Sequence, residues 1–550
     1  MRELPERANL AYLKKQAKEL IRRYRARDRD ALAQFREALP AAAGRGDAEI
    51  AALDLRLHDA QSCVARAYGF ASWADMRGYL EVQAAARRDG DHAARVRQWL
   101  RLVYSGEVDG RGIDRANPRV AARVLGESPG LAAGDAYLAC AIGDEDALRA
   151  ATAADRSWLN RPGGPLRLPP LVAVTHSSLG QLPEFRERLH GCARFLLSAG
   201  ADPNQRIGLR WPPASIDAPD DANPLSALYG AAGRNHDLAL TRLLLAAGAD
   251  PNDGESLYHS LEGFVCTRAL LEHGARIAGT NALFHALDFD NLAALELLLQ
   301  HGADPNEPLG NSPHGEWGLP LLWAIKRRRS PRHVAALLAA GADPAAATRS
   351  GVSAYSLALQ LGLSEVAELL RQHGAARPLA AEEQFIAACA RGDAGEAQRI
   401  RARRPDLPGA LAAAQLRRLP DLVAEGGEAG ARLMVELGWP VAVRGGDWDA
   451  SALNLAVFRG NAGLTRFLLD HGASWQEEHG YGDNVSGTLA WASCNEPVAG
   501  GDWAGCARAL LDHGMPGAVP DPDNPERVLV AGRSKRFSDE VTEVLLEGER

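Results

Sequence analysis

With 550 residues, 46% of them apolar and 24% charged, the chain has an ordinary water-soluble composition and is too long for one compact core. Its net charge of −8 argues against nucleic acid as a general partner, and it contains no apolar run long enough to span a membrane. The seven scattered cysteines form no C-x-x-C pair and read as reduced thiols of a cytoplasmic protein.

The opening residues, "MRELPERANL", lack the apolar stretch of a secretion signal, and Glu3 and Glu6 argue against a transit peptide. Residues 1–85 read as an N-terminal helical cap region. In "NLAYLKKQAKELIRRYRARDRDAL", Leu10, Leu13, Ala17, Leu20, Ile21 and Tyr24 share one helical face. The segment "DAQSCVARAYGFASWADMRGYL" continues the pattern, with Phe70 and Trp73 as apolar anchors. Residues 14–29 carry eight basic side chains against Glu19 and Asp28, a net of +6. That is the solvated face of an amphipathic helix; the alternative is a basic arm for an anionic membrane or RNA. Tyr24, the aromatic residue among these charges, belongs to the apolar face and not to a base-stacking surface, so no specific nucleic acid is expected as a partner.

After a helical connector or degenerate first repeat at 86–133, two phrases alternate through 134–517. One is an apolar helix with a hard stop: "LTRLLLAAGADPN" at Leu240–Asn252, "LELLLQHGADPN" at Leu295–Asn306, "VAALLAAGADP" at Val334–Pro344. Leu243, Leu244 and Leu245 form the apolar stripe. Gly248 offers the left-handed backbone that ends a helix, and Pro251 keeps it from resuming. The other phrase opens a short alanine-rich helix: "NPLSAL", "NALFHAL", "LPLLWAI", "SAYSLAL" and "SALNLAV". Stop glycines Gly341 and Gly374 lie 33 apart, and Gly438 and Gly472 lie 34 apart. Spacings of 48 (Gly200–Gly248), 26 (Gly248–Gly274) and 64 (Gly374–Gly438) mark an insertion, a short unit and a hidden unit. The hidden unit is "EEQFIAACARGDAGEAQRI" at Glu382–Ile400, and "GDAYLACAIGDEDALRAA" at Gly134–Ala151 is a further divergent copy.

These paired phrases resemble the ankyrin repeat, with its T-P-L-H-x-A opening followed by L-L-x-x-G-A-D-x-N. The N-terminal region is similar to one carried by many bacterial ankyrin-repeat proteins, and arginine in excess of lysine suits a GC-rich bacterial genome. The resemblance implies an all-α solenoid of stacked helix-turn-helix units acting as a non-enzymatic scaffold for an unidentified protein partner. Residues 518–550 are expected to cap the last unit. There Phe537, Val541, Val544 and Leu545 fall at helical spacing, with Ser538 as N-cap.

In ankyrin repeats, partners meet the turn tips and the residues just after the first-helix phrase. Carried across, that position is Asp288 and Phe289, then Lys326 and Arg327 (with Arg328 following), then Gln360 and Leu361, then Phe458 and Arg459, and Cys494 and Asn495 after "GTLAWAS". "KRRRSPRH" places positive charge where an acidic partner would lie, and reversing Lys326, Arg327 and Arg328 is expected to weaken binding without moving the melting temperature. Trp211 and Trp317 occupy long turns, where they contact a partner or pack on the neighbouring turn.

Histidines precede the stop glycine at 273, 301, 373, 471 and 513. Equivalent positions of successive helices lie about 10 Å apart, too far for one zinc ion, so these rings are helix-end residues facing the negative dipole end. The most individual segment is "EEHGYGDNVSGTLAWASCNE" at Glu477–Glu496, with Tyr481, Asp483, Asn484, Trp491 and Cys494 in an elongated turn. It reads as a partner- or ligand-contacting loop, the alternative being an enzyme or small-molecule site. No phosphate-cradling loop, H-E-x-x-H or G-x-S-x-G occurs, so no catalytic residue, metal or cofactor is expected.

Overall fold

The structure is a computed structural model that describes residues 4–5, 8–53, 55–89 (backbone only for 85–89), 92–112, 115–308, 318–524 and 527–547. Both recurring phrases fold into helices, and each boundary has a local cause. Three first helices open on a serine hydroxyl: Ser226 accepts from the Tyr229 amide at 2.9 Å, Ser353 from Ser356 at 3.3 Å, Ser451 from Asn454 at 3.3 Å. Second helices open on an Asp or Asn cap: Asp144, Asp237, Asn291, Asp393, Asn461 and Asp502 each accept from the amide three residues on. The stop glycines take positive φ, 94° at Gly248 and 93° at Gly472, where a Cβ would strain the turn.

Helix-end histidines close the second helices. The Nδ1 of His273, His373, His471 and His513 lies 2.7–2.9 Å from the carbonyl four residues earlier, adding a side-chain bond to the helix's last turn. The turn asparagines do more than turn the chain. Asn160, Asn204, Asn252 and Asn306 accept through Oδ1 from the backbone amides of Asp202, Asp250, Arg276 and Asp343 at 2.8–2.9 Å, always one repeat onward. All four also reach with Nδ2 to the next repeat's stop glycine carbonyl, at 2.8–3.5 Å. These asparagines thus form a polar ladder that pins each turn to its successor.

The chain divides into two units, 1–285 and 286–550, each taken by itself. In the first, the helices Leu10–Arg25, Arg29–Ala38, Leu57–Ala67 and Trp73–Asp89 gather Leu13, Ala17, Phe35, Ile50 and Met76 into a dry cluster. Leu20, Ile21 and Tyr24 are buried with them, while Leu10 and Trp73 are half-buried. The Trp73–Asp89 helix runs across position 85. On the opposite face Arg22 pairs with Glu19 and Arg23 with Asp28. Paired helices follow from Ala136–Ile142 to Thr267–Glu272. The insertion after Gly200 is a β-hairpin, Arg206–Leu209 against Asp220–Ser226, antiparallel. Its Arg210 is buried, and the guanidinium donates to the carbonyls of Val108 (2.8 Å), Leu166 (2.7 Å) and Arg167 (3.3 Å). Burial lowers that guanidinium's pKa to about 10.

The second unit carries helix pairs from Leu292–Gln300 to Trp503–Asp512. Residues 444–451 form a two-stranded hairpin. The C-terminal segment differs from the all-helical expectation. Ala518–Pro520, Val528–Val530 and Arg533–Lys535 make a small antiparallel sheet before the Asp539–Glu547 helix. That helix buries Val541, Val544 and Leu545 beside Phe537, and Ser538 caps it through the Val541 amide at 3.3 Å. The described residues are mostly helical with three small open sheets, and none of their helices is long and apolar enough to cross a membrane.

Candidate functional site: an aromatic cleft in the second unit

Four of the expected contact residues converge in the second unit. Phe458 ends the Ala452–Phe458 helix, and Trp491 lies on the Val485–Asn495 helix of the next repeat. Their rings stack at 5.5 Å, 8° from parallel. Trp448, at the tip of the 444–451 hairpin, packs 5.7 Å from Phe458, edge-on to His479 at 5.1 Å, and nearly parallel to Tyr481 at 6.5 Å. With Asp483, Gly487 and Thr488 these residues line a cleft of about 670 Å³. Tyr481 is 82% exposed and Trp491 46% exposed, large values for rings of this size.

The polar side is held in place from below. Lys535 of the small C-terminal sheet donates to Asp483 at 2.5 Å, and Arg533 lies 3.4 Å away. Burial would raise the Asp483 pKa, but the Lys535 ammonium and the Asn484 amide (2.8 Å) outweigh it and hold the carboxyl below its ordinary range. A Cβ on Gly487 would collide with this carboxylate, so the close approach requires glycine. Asn484 caps the Val485–Asn495 helix, accepting from the Ser486 amide at 3.0 Å and its hydroxyl at 2.6 Å. Burial lowers the His479 pKa against the attraction of Asp483, leaving that ring neutral near pH 7.

The other expected residues lie elsewhere. Asp288 accepts from Trp323 Nε1 at 3.0 Å and Arg327 Nε at 2.9 Å. Lys326 is buried, paired with Asp447 and 4.9 Å above the Trp323 ring. Arg327 reaches Asp288, Asp447 (2.8 Å) and Glu425 (3.4 Å), and Arg328 donates to the Leu361 carbonyl at 2.5 Å. The basic run is therefore bound into its own unit, and through Asp447 it steadies the residue beside Trp448. Phe289 is 52% exposed, Arg459 donates to the Ala424 carbonyl at 2.8 Å, and Trp211 is 44% exposed on the first unit's hairpin. Trp317 lies outside the described residues. Cys494 is the exposed thiol among seven cysteines.

Trp448 and Thr488 were not singled out by the sequence. "GGDWDAS" gives a tryptophan between aspartates just before a first-helix phrase, a signal visible only once the hairpin is known. Among the described residues one group offers converging metal donors, His259, Glu262 and His285.

A family model described as ankyrin repeats (three copies) matches residues 219–308. No curated protein matches the chain. Among solved structures, the ankyrin repeat domain of human ASB11 is similar at 20% identity over 43% of this chain and 99% of that chain, with a TM-score of 0.20. On the family match, residues 219–308 carry ankyrin repeats, a module known for binding proteins, and the described residues are mostly helical with no closed sheet among them.

Proposed function

We propose that this protein is a non-enzymatic interaction scaffold whose partner docks an apolar or aromatic side chain into the cleft of Trp448, Phe458, Tyr481 and Trp491. The observation that carries this is the exposure of Tyr481 and Trp491 on a wall already stacked and rigid. Rigid aromatics lose little entropy on binding and commonly dominate contact energies. Asp483 and Asn484 position the wall, while Asp288, Lys326 and Arg327 tie down the Trp448 hairpin. Seven free thiols, six of them buried, and the arginine-rich composition support a bacterial cytoplasmic setting.

The test is recovery of a protein partner by the full chain, compared with Trp491→Ala and Tyr481→Ala. Loss of about 2 kcal/mol or more in binding, with unchanged melting, is expected for an anchor of this kind. Equal recovery by both variants would remove the cleft from the interaction. A volume of about 670 Å³ also fits a small organic ligand, the second reading. Quenching of tryptophan fluorescence by a metabolite extract depleted of protein would favour it instead.

A further inference from the structure

His259 and Glu262 lie one turn apart on the Ser256–Gly263 helix, and His285 lies on the Ala282–Asp288 helix of the following repeat. The two histidines are 26 residues apart, the same short spacing as Gly248 and Gly274. They occupy matching places in "SLYHSL" and "ALFHAL". Helix axes of neighbouring repeats are about 10 Å apart, but two side chains leaning toward each other close most of that gap. Here the ring centroids come to 6.2 Å.

Between them stands Glu262. Its Oε1 is 2.6 Å from His259 Nδ1 and 3.9 Å from His285 Nε2, and one donor atom from each of the three residues lies within 4.8 Å of the others. Tetrahedral zinc holds donors at about 2.0–2.1 Å, which sets them roughly 3.3 Å from one another. The observed separations bracket that value, so side-chain rotations of about 1 Å bring all three onto one centre.

The surroundings are those of an oriented ligand set. Glu255 Oε2 lies 3.2 Å from His259 Nε2, the ring nitrogen facing away from Glu262, as a carboxylate supporting a ligating histidine does. Tyr258 stacks on His285 at 3.6 Å, 19° from parallel, and fixes the plane of that ring. His285 is buried and His259 half-buried, while Glu262 is exposed and gives an approach from solvent.

We propose that His259, Glu262 and His285 form a binding site for one divalent transition-metal ion of the zinc class, with Glu255 orienting His259. Two imidazoles and one carboxylate select such an ion over Mg²⁺ or Ca²⁺, which prefer all-oxygen shells. The ion cross-links the first helices of two successive repeats. Because stability in a repeat array is carried by interfaces between neighbours, the bond acts as a clasp on this short unit. Without metal, the same residues form a histidine–carboxylate ion pair.

The experiment is titration of the full-length, chelator-treated protein with Zn²⁺ by calorimetry, with Mg²⁺ as control and thermal melting alongside. One Zn²⁺ per chain and a raised melting temperature are expected, with no response to Mg²⁺. His285→Ala and Glu262→Gln should each weaken zinc binding by about tenfold or more. Glu262 is exposed, so its variant tests the site even if His285→Ala fails to fold. Zinc binding of equal strength in the Glu262→Gln and His259→Ala variants, or no stoichiometric binding by the parent chain, would overturn the proposal.

Discussion

Reversing the charge of Lys326 is expected to destabilise the second unit, contrary to the unchanged melting expected for reversing Lys326, Arg327 and Arg328 together. The Lys326 side chain is 7% exposed and pairs with Asp447, itself 28% exposed, inside the second unit. Lys326→Glu would bury a carboxylate against Asp447. Removing one partner of a buried pair costs about 3–5 kcal/mol. Arg327 remains 2.8 Å from Asp447 and offsets part of that, which places Lys326→Met at about 2 kcal/mol and Lys326→Glu at about 3–4 kcal/mol. For a unit of this size, each kcal/mol lowers the melting temperature by about 2–4 °C. Differential scanning calorimetry should therefore show Lys326→Glu melting roughly 6–15 °C lower, by the same scaling. Adding Asp447→Lys should recover part of the loss, because it restores an opposite-charge pair at the same place. A Lys326→Glu protein that melts within 1 °C or so of the parent would refute the buried-tie account.

Three further outcomes follow from other residues. Asn252→Ala removes bonds to the Arg276 amide (2.8 Å) and the Gly274 carbonyl (3.3 Å). Water replaces part of that, so a cost of about 1–2 kcal/mol and faster hydrogen exchange at Arg276 are expected; unchanged exchange would count against the ladder. Burial lowers the His176 pKa from 6.5 to about 4, with Nε2 2.9 Å from the Ser226 carbonyl. Because the folded value is depressed, the unfolded chain takes up the proton first, and stability falls as pH drops from 6.5 toward 4, by about 3 kcal/mol. His176→Asn should flatten that part of a stability–pH curve; an unchanged slope would show that His176 is not its source. A brief thiol-alkylation pulse on the native protein should label Cys494 alone, since the other six cysteines are buried, and mass mapping of the adducts checks it.

Much of the architecture was legible because the repeat writes its local physics plainly. Stop glycines, Asp and Asn caps and leucine stripes act within a few residues, and Ser538 was readable as a cap for the same reason. Helix-end histidines read as structural, and their rings do bond the carbonyls one turn back. The 206–226 hairpin and the 518–535 sheet were not legible, because short strands in inserted segments carry no long period.

The candidate cleft was half legible. Phe458 was identified by its position in the repeat and Tyr481, Asp483 and Trp491 by their individual segment, yet Trp448 joins them only through a hairpin. The burial of Lys326 and Arg327 depends on Asp447 and Glu425, about a hundred residues away, so their charges looked available when they are spent. The approach of His259 and His285 was hidden differently. Spacing measured between helix axes excludes a shared ion, whereas side-chain reach permits one.

The account turns on the cleft being where a partner docks, and a photo-crosslinker is its most direct probe. Replacing Tyr481, 82% exposed, by a benzophenone amino acid should give a discrete protein adduct on irradiation in the native host. The adduct should vanish when Trp491→Ala is added, and the same probe at exposed Gln372 should give none. Identical adducts from positions 481 and 372, or an adduct indifferent to Trp491→Ala, would contradict the assignment of the partner site.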